Sequence, residues 1–166
     1  MTGPRRDASS DRLADLYDRF AGTLFRHAAM ILADRVAAGD AVHNVFVKLA
    51  KSGLGGDVGS LAYLRRAVRN ECYSVMRTRR REIVAAVDPQ LLEFAEGEDD
   101  QPAQRLALEQ ALQQLPAEQR EVVHLKVWEG MTFQEIGDVT GEGLNTAASR
   151  YRYAIEKLRA ILAEKC

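Results

Sequence analysis

Apolar positions recur at helical spacing along the chain, and each stretch so marked predicts a helix. Leu13, Leu16, Tyr17, Phe20, Leu24 and Phe25 mark the first, which continues through Ala28 and Ile31 to a break at Asp34 and Arg35. Val42, Val45, Phe46 and Leu49 mark the second. Ser52 to Asp57 holds three glycines and reads as a loop. Ser60 caps a third helix, whose buried stripe is Leu61, Leu64, Val68, Cys72, Val75 and Met76. Residues 83–103 carry Pro89 and Pro102 and only a weak apolar pattern (Leu91, Leu92, Phe94), so a mobile linker with room for one short helical turn is expected. Leu108, Ala111 and Leu112 predict a helix over 104–114, with Leu115 at its end.

The last quarter reads helix, turn, helix. Glu118 to Trp128 is amphipathic, with Val122, Leu125 and Trp128 near helical spacing. Pro116 suits its first turn, where the missing N–H has no partner to lose. Gly130 stops it. Thr132 stands at an N-cap position, and Glu135 three residues on completes a capping-box pattern. Phe133, Ile136 and Val139 give a short helix its apolar face, and Thr140 to Gly143 is the turn. From Leu144 the stripe is Ala147, Tyr151, Ala154, Ile155, Leu158 and Leu162. Asn145, Thr146, Ser149, Arg150, Arg152 and Tyr153 face outward. Such side chains hydrogen-bond base edges or phosphates, and a helix-turn-helix puts the start of its second helix into the major groove. The bland alternative is a helical hairpin packed on a partner, with a solvated polar face.

Charge sharpens the picture. The net charge of -1 hides a segregation. Residues 1–81 hold 15 Lys/Arg against 8 Asp/Glu, a net of +7; residues 82–104 hold seven acids and no base; residues 105–166 hold 8 bases and 9 acids. A basic domain, an acidic connector and a second domain follow. On the third helix Arg65, Arg66, Arg69, Arg77, Arg79, Arg80 and Arg81 fall within 17 residues, opposed only by Glu71. Tyr63, Asn70 and Tyr73 are interleaved. Arginines that track a backbone, beside aromatics that stack on unpaired bases, suit single-stranded nucleic acid.

Other chemistry is not visible. His43 has no second His or Cys at ligand spacing, so no metal is expected. Cys72 reads as a small core residue and Cys166 as incidental, without a disulfide framework. No phosphate loop, paired carboxylates or Ser/His/Asp set occurs, so neither a catalytic residue nor a cofactor is expected. No apolar run of about 18 residues suggests membrane insertion. Residues 1–10 are polar, lack a signal core and are expected to be disordered; the expected compartment is the cytoplasm.

These residues, in this order, resemble the bacterial RNA polymerase sigma factors, specifically the small extracytoplasmic-function (ECF) group. The resemblance covers roughly residues 11–81 and 105–162. It is carried by Leu16 to Phe20, Asp40 to Phe46, Tyr63-Leu64, and Val68-Arg69-Asn70 with the arginine run. It continues in Leu115 to Val122, Gly130 to Ile136 and Asn145 to Ala154.

The resemblance implies an all-α protein of two small helical domains joined by a flexible acidic linker. Residues 11–82 would be the region 2 domain, 83–103 the linker, and 104–166 the region 4 domain with the helix-turn-helix. It implies that Asp40, His43, Asn44 and Phe46 dock on the coiled coil of the polymerase β′ subunit. Arg65, Arg66, Arg69, Asn70, Arg77, Arg79 and Arg80 would hold the minus-ten element during melting, with the loop 53–59 near a flipped base. Asn145, Thr146, Ser149, Arg150, Arg152 and Tyr153 would read the minus-thirty-five element. The linker would thread the RNA exit region. Core RNA polymerase and promoter DNA are the implied partners, and an anti-sigma factor is common in this group.

The chain departs from the family pattern at several places. Ala38 stands where an acid is usual, and His43 and Asn44 where Gln and Glu are frequent. Ser74 replaces an aspartate, Tyr63 a tryptophan, and Glu142-Gly143 an apolar residue followed by Ser. Two rival readings remain from the residues alone. One is a helix-turn-helix regulator that acts without core polymerase; the other is a protein-protein interaction module.

Overall fold

The computed structural model describes residues 8–82 and 102–164. Every regular element among them is helical. Helix α1 (Ala8–Leu32) starts inside the segment expected to be disordered, taking in residues 8–10. Residues 1–7, the linker stretch 83–101 with its possible helical turn, and Cys166 lie outside the described residues.

Helix α1 ends where Ala33 takes a positive φ of 52°, which turns the chain sharply. Asp34 then caps α2 (Arg35–Ser52), its carboxylate accepting from the Ala37 N–H at 2.9 Å. The predicted break at Asp34 and Arg35 is thus a capped junction. A single 3-10 turn, Gly56–Gly59, crosses the glycine loop to α3 (Leu61–Arg81). Ser60 caps α3 by accepting from the Tyr63 N–H at 3.1 Å.

The second set of helices is α4 (Pro102–Gln113), α5 (Ala117–Val127), α6 (Phe133–Thr140) and α7 (Leu144–Glu164). Pro116 takes the N-cap of α5, one place before the position expected for it. Helix α4 begins at Pro102, two residues before the predicted boundary. Trp128 is not part of the buried stripe of α5. It sits at the C-cap, 44% exposed.

Two apolar clusters hold the chain. The smaller is local to the helix-turn-helix: Val122, Leu125, Ile136, Val139 and Ala147, flanked by Met131, Phe133 and Tyr151. The larger runs through Leu24, Ile31, Phe46, Leu64, Val68 and Cys72 of α1–α3 and on into Leu112, Val123, Ala154 and Leu158. One continuous core therefore joins the two helical modules. Burial and the neighbouring charge of Glu121 push the Cys72 thiol up to about 12, so it stays protonated, as a core residue should.

Candidate nucleic-acid interface

Helix α3 buries Leu64, Val68 and Cys72, which turns the arginine-rich side outward. Arg66, Asn70, Arg77, Arg79 and Arg80 are exposed. Arg65 and Arg69 are half-buried, because α5 and the loop after it lie over them. Arg79 also reaches the Asp34 carboxylate at 2.7 Å, tying the end of α3 to the cap of α2. Burial alone would raise the Asp34 carboxyl. The Ala37 N–H and the Arg79 guanidinium outweigh it and hold the carboxyl below the usual range.

An open groove of about 270 Å³ lies between α2 and α3, lined by Lys48, Ser52, Tyr63, Asn70 and Glu71 among others. Tyr63 is 38% exposed and faces it. Tyr73, the other candidate stacking ring, is engaged elsewhere: its hydroxyl donates to Glu121 at 2.9 Å. The groove thus brings one exposed aromatic, one amide and one lysine together beside the glycine loop.

On α2, Asp40, His43 and Asn44 are exposed on one side, and Asn44 reaches Glu71 at 3.4 Å. Phe46 does not share that surface. It is 5% exposed and packs edge-on against Tyr17, with ring centroids 5.0 Å apart. Its expected contact with a partner is therefore corrected: the ring supports the face from beneath. Ala38, where the family resemblance would put an acid, is fully buried. A carboxylate there would need a partner in the core.

The helix-turn-helix is built by local rules. Thr132 and Glu135 form the predicted capping box, the Thr132 N–H donating to Glu135 and the Glu135 N–H to Thr132 Oγ1. Gly141 closes α6 at a φ of 75°, a left-handed cap that suits glycine. Asn145, Thr146, Arg152 and Tyr153 then stand exposed on α7, with Ser149 and Arg150 half-buried among them. Arg150 pairs with Glu142 at 2.7 Å, and the Arg152 guanidinium lies over the Tyr153 ring, 5.1 Å from its centroid.

The sequence does not single out the seam between the modules. Glu121, on α5, is fully buried. It receives His27 Nε2 at 2.9 Å, the Arg69 Nε–H at 2.9 and 3.1 Å, and the Tyr73 hydroxyl. Burial opposes its charge, but these donors prevail and hold the carboxyl below its usual value. Beside it, Arg65 pairs with Glu129, and Arg120 donates to the carbonyls of Met30 and Ile31 at the end of α1. His27 and His124 stack across the seam with centroids 6.1 Å apart. One sequence signal was available. The unbroken run Arg120 to Leu125 contains Val122-Val123-His124-Leu125, too apolar all round for a helix with a free side.

Comparison with known proteins fits this geometry. The family description "Sigma-70, region 4" matches residues 111–160, the helix-turn-helix and the helix before it. The sigma factor CarQ of Myxococcus xanthus is 29% identical over 163 residues, covering 96% of this chain and 94% of CarQ. The ECF sigma factor SigL of Mycobacterium tuberculosis is 30% identical over 155 residues, covering 90% of this chain and 88% of SigL. The chain belongs to the ECF RNA polymerase sigma factors.

This sigma factor directs transcription initiation by RNA polymerase at promoter DNA. Its fold is shared by the sigma factor RpoE in complex with the anti-sigma factor NepR from Bartonella quintana. That match has a TM-score of 0.71 at 24% identity and covers 90% of this chain and 97% of the other. Among the described residues of the sigma factor, no helix is long and apolar enough to cross a membrane.

Proposed function

We propose that the sigma factor divides promoter recognition between its two modules. Arg65, Arg66, Arg69, Asn70, Arg77, Arg79 and Arg80 of α3 hold the minus-ten strand as it separates. Tyr63 and the groove beside it receive an unpaired base. Asn145, Thr146, Ser149, Arg150, Arg152 and Tyr153 of α7 read the minus-thirty-five duplex. Asp40, His43 and Asn44 dock on core polymerase, with Phe46 holding their helix in place. The domain division 11–82, 83–103 and 104–166 is part of this reading. So are an anti-sigma partner, as RpoE has in its complex, the absence of catalytic activity in the chain itself, and action in the cytoplasm beside core polymerase.

The observation that carries the proposal is the row of exposed arginines on α3, in the same chain as a capped helix-turn-helix with a polar outer face. One module suits unpaired strand, the other suits duplex. The test is transcription from a promoter library by core polymerase with and without the purified chain. Specific transcripts should need both, and their shared sequence should hold two separated elements. Specific promoter binding by the chain alone, unchanged by core polymerase, would favour an ordinary regulator instead.

A further inference from the structure

We propose that Glu121 and Glu129 act as internal substitutes for DNA phosphates: they occupy Arg69 and Arg65 in the free chain, so that seam closure and strand binding exclude each other. The inference rests on the reading that the α3 arginines bind the separated strand, and it names the control on that site.

Three features support it. First, the chemistry matches. A carboxylate held by an arginine uses the same charge-assisted hydrogen bonds that a phosphate would. Arg69 grips both oxygens of Glu121 through its Nε–H, while its guanidinium lies 4.4 Å from the Tyr73 ring. Arg65 is taken by Glu129 through a single bond, from its Nη2 to one carboxylate oxygen. Second, the donors to Glu121 all come from α1 and α3, across the seam: His27, Arg69 and Tyr73. Its burial is therefore a property of the closed form alone. Third, the exchange is concerted. A buried carboxylate stripped of one partner is costly, so a phosphate that takes Arg69 favours release of all of α5 rather than of one side chain. Arg66, Arg77 and Arg80 stay exposed on the same helix and offer a strand its first contacts.

Closure would thus reduce apparent affinity for unpaired strand by the fraction of molecules that are open. It would also remove two cations from the site, which flattens the salt dependence. Each arginine released should steepen the log–log salt slope by about 0.7 for a single strand.

The test uses the full chain and a labelled oligothymidylate, with anisotropy read over a range of salt. The variants are E129Q, E121Q and the triple R66Q/R77Q/R80Q, each checked for helix content. E129Q and E121Q should bind roughly tenfold more tightly, with a slope steeper by about 0.7 to 1.4. Glu129 sits at the rim of the seam, so E129Q decides the matter if E121Q does not fold. Wild-type affinity and slope in E129Q, while the triple variant binds more weakly, would overturn the internal substitution and leave the strand face standing. Undiminished binding by the triple variant would instead remove the strand-face reading, and this proposal with it.

Discussion

Glu142 stands where the family resemblance would put an apolar residue, and it points back at Arg150, 2.7 Å away. The pair is partly exposed, and such pairs contribute at most about 1 kcal/mol. A phosphate can therefore displace the carboxylate with little loss. Glu142→Gln should leave Arg150 uncommitted and steepen the salt dependence of duplex binding by the holoenzyme by up to about 0.9. Titration of an upstream-element fragment at several salt concentrations checks this, and an unchanged slope would separate Arg150 from DNA. On α2 the residues divide differently. Asp40→Ala and His43→Ala should weaken binding to core polymerase without moving Tm. Phe46→Ala should instead cost about 3–5 kcal/mol of stability, because it empties a buried ring site. A thermal melt beside a polymerase-binding assay separates the two. The apolar pattern placed Phe46 with Val42, Val45 and Leu49, and only the family resemblance grouped it with its polar neighbours. What the pattern could not name is the ring it packs on, Tyr17, twenty-nine positions earlier.

Elements were legible in proportion to how local their causes are. Ser60, the Thr132–Glu135 box and the left-handed Gly141 each act within four residues, and all stand where the sequence implies. The stripe of α3 was readable because one face alone is buried. Helix α5 was legible only in part: Val122 and Leu125 are buried as its stripe implies, but α1 covers one side and α7 another, so Arg120 and Glu121, which pass for surface residues, are buried too. Gly137 gives a test at this scale. In an ordinary helix interior, Gly→Ala gains about 1 kcal/mol. Here a Cβ would lie 2.7 Å from the Glu142 carbonyl oxygen, a backbone atom of the turn. Overpacking of that kind costs about 1–3 kcal/mol. Gly137→Ala should therefore lower Tm rather than raise it, and weaken duplex binding by shifting α7. A raised Tm would mean the turn yields freely.

Across the whole molecule, closure has a pH dependence that follows from its buried groups. His124 faces His27 and Arg26 of α1, with Glu129 and Trp128 beside it. Burial, with the charges of His27 and Arg26, lowers its pKa from the usual 6.5 despite Glu129. The folded, closed chain therefore binds fewer protons at His124 than the open or unfolded chain does. The seam's stability is full above about pH 6.5 and declines as pH falls below it, by at most about 1.4 kcal/mol per pH unit for one group. Glu121, held below its usual 4.5, adds a further loss only at lower pH, as it is protonated. Small-angle scattering should show expansion between pH 7 and pH 5.5, with helix content retained; no expansion would place His124 outside the seam's energetics. The pairing of these groups was not legible in the sequence, because His27 and Glu121 meet across 94 positions.

Promoter opening is where the two modules are asked to do different things. The direct measurement is fluorescence of 2-aminopurine placed in the minus-ten element, with holoenzymes carrying the native chain or R66Q/R77Q/R80Q. The native holoenzyme should unstack the probe. The variant should still bind the promoter through α7 but leave the probe stacked. Full unstacking by the variant would contradict the assignment of strand separation to α3.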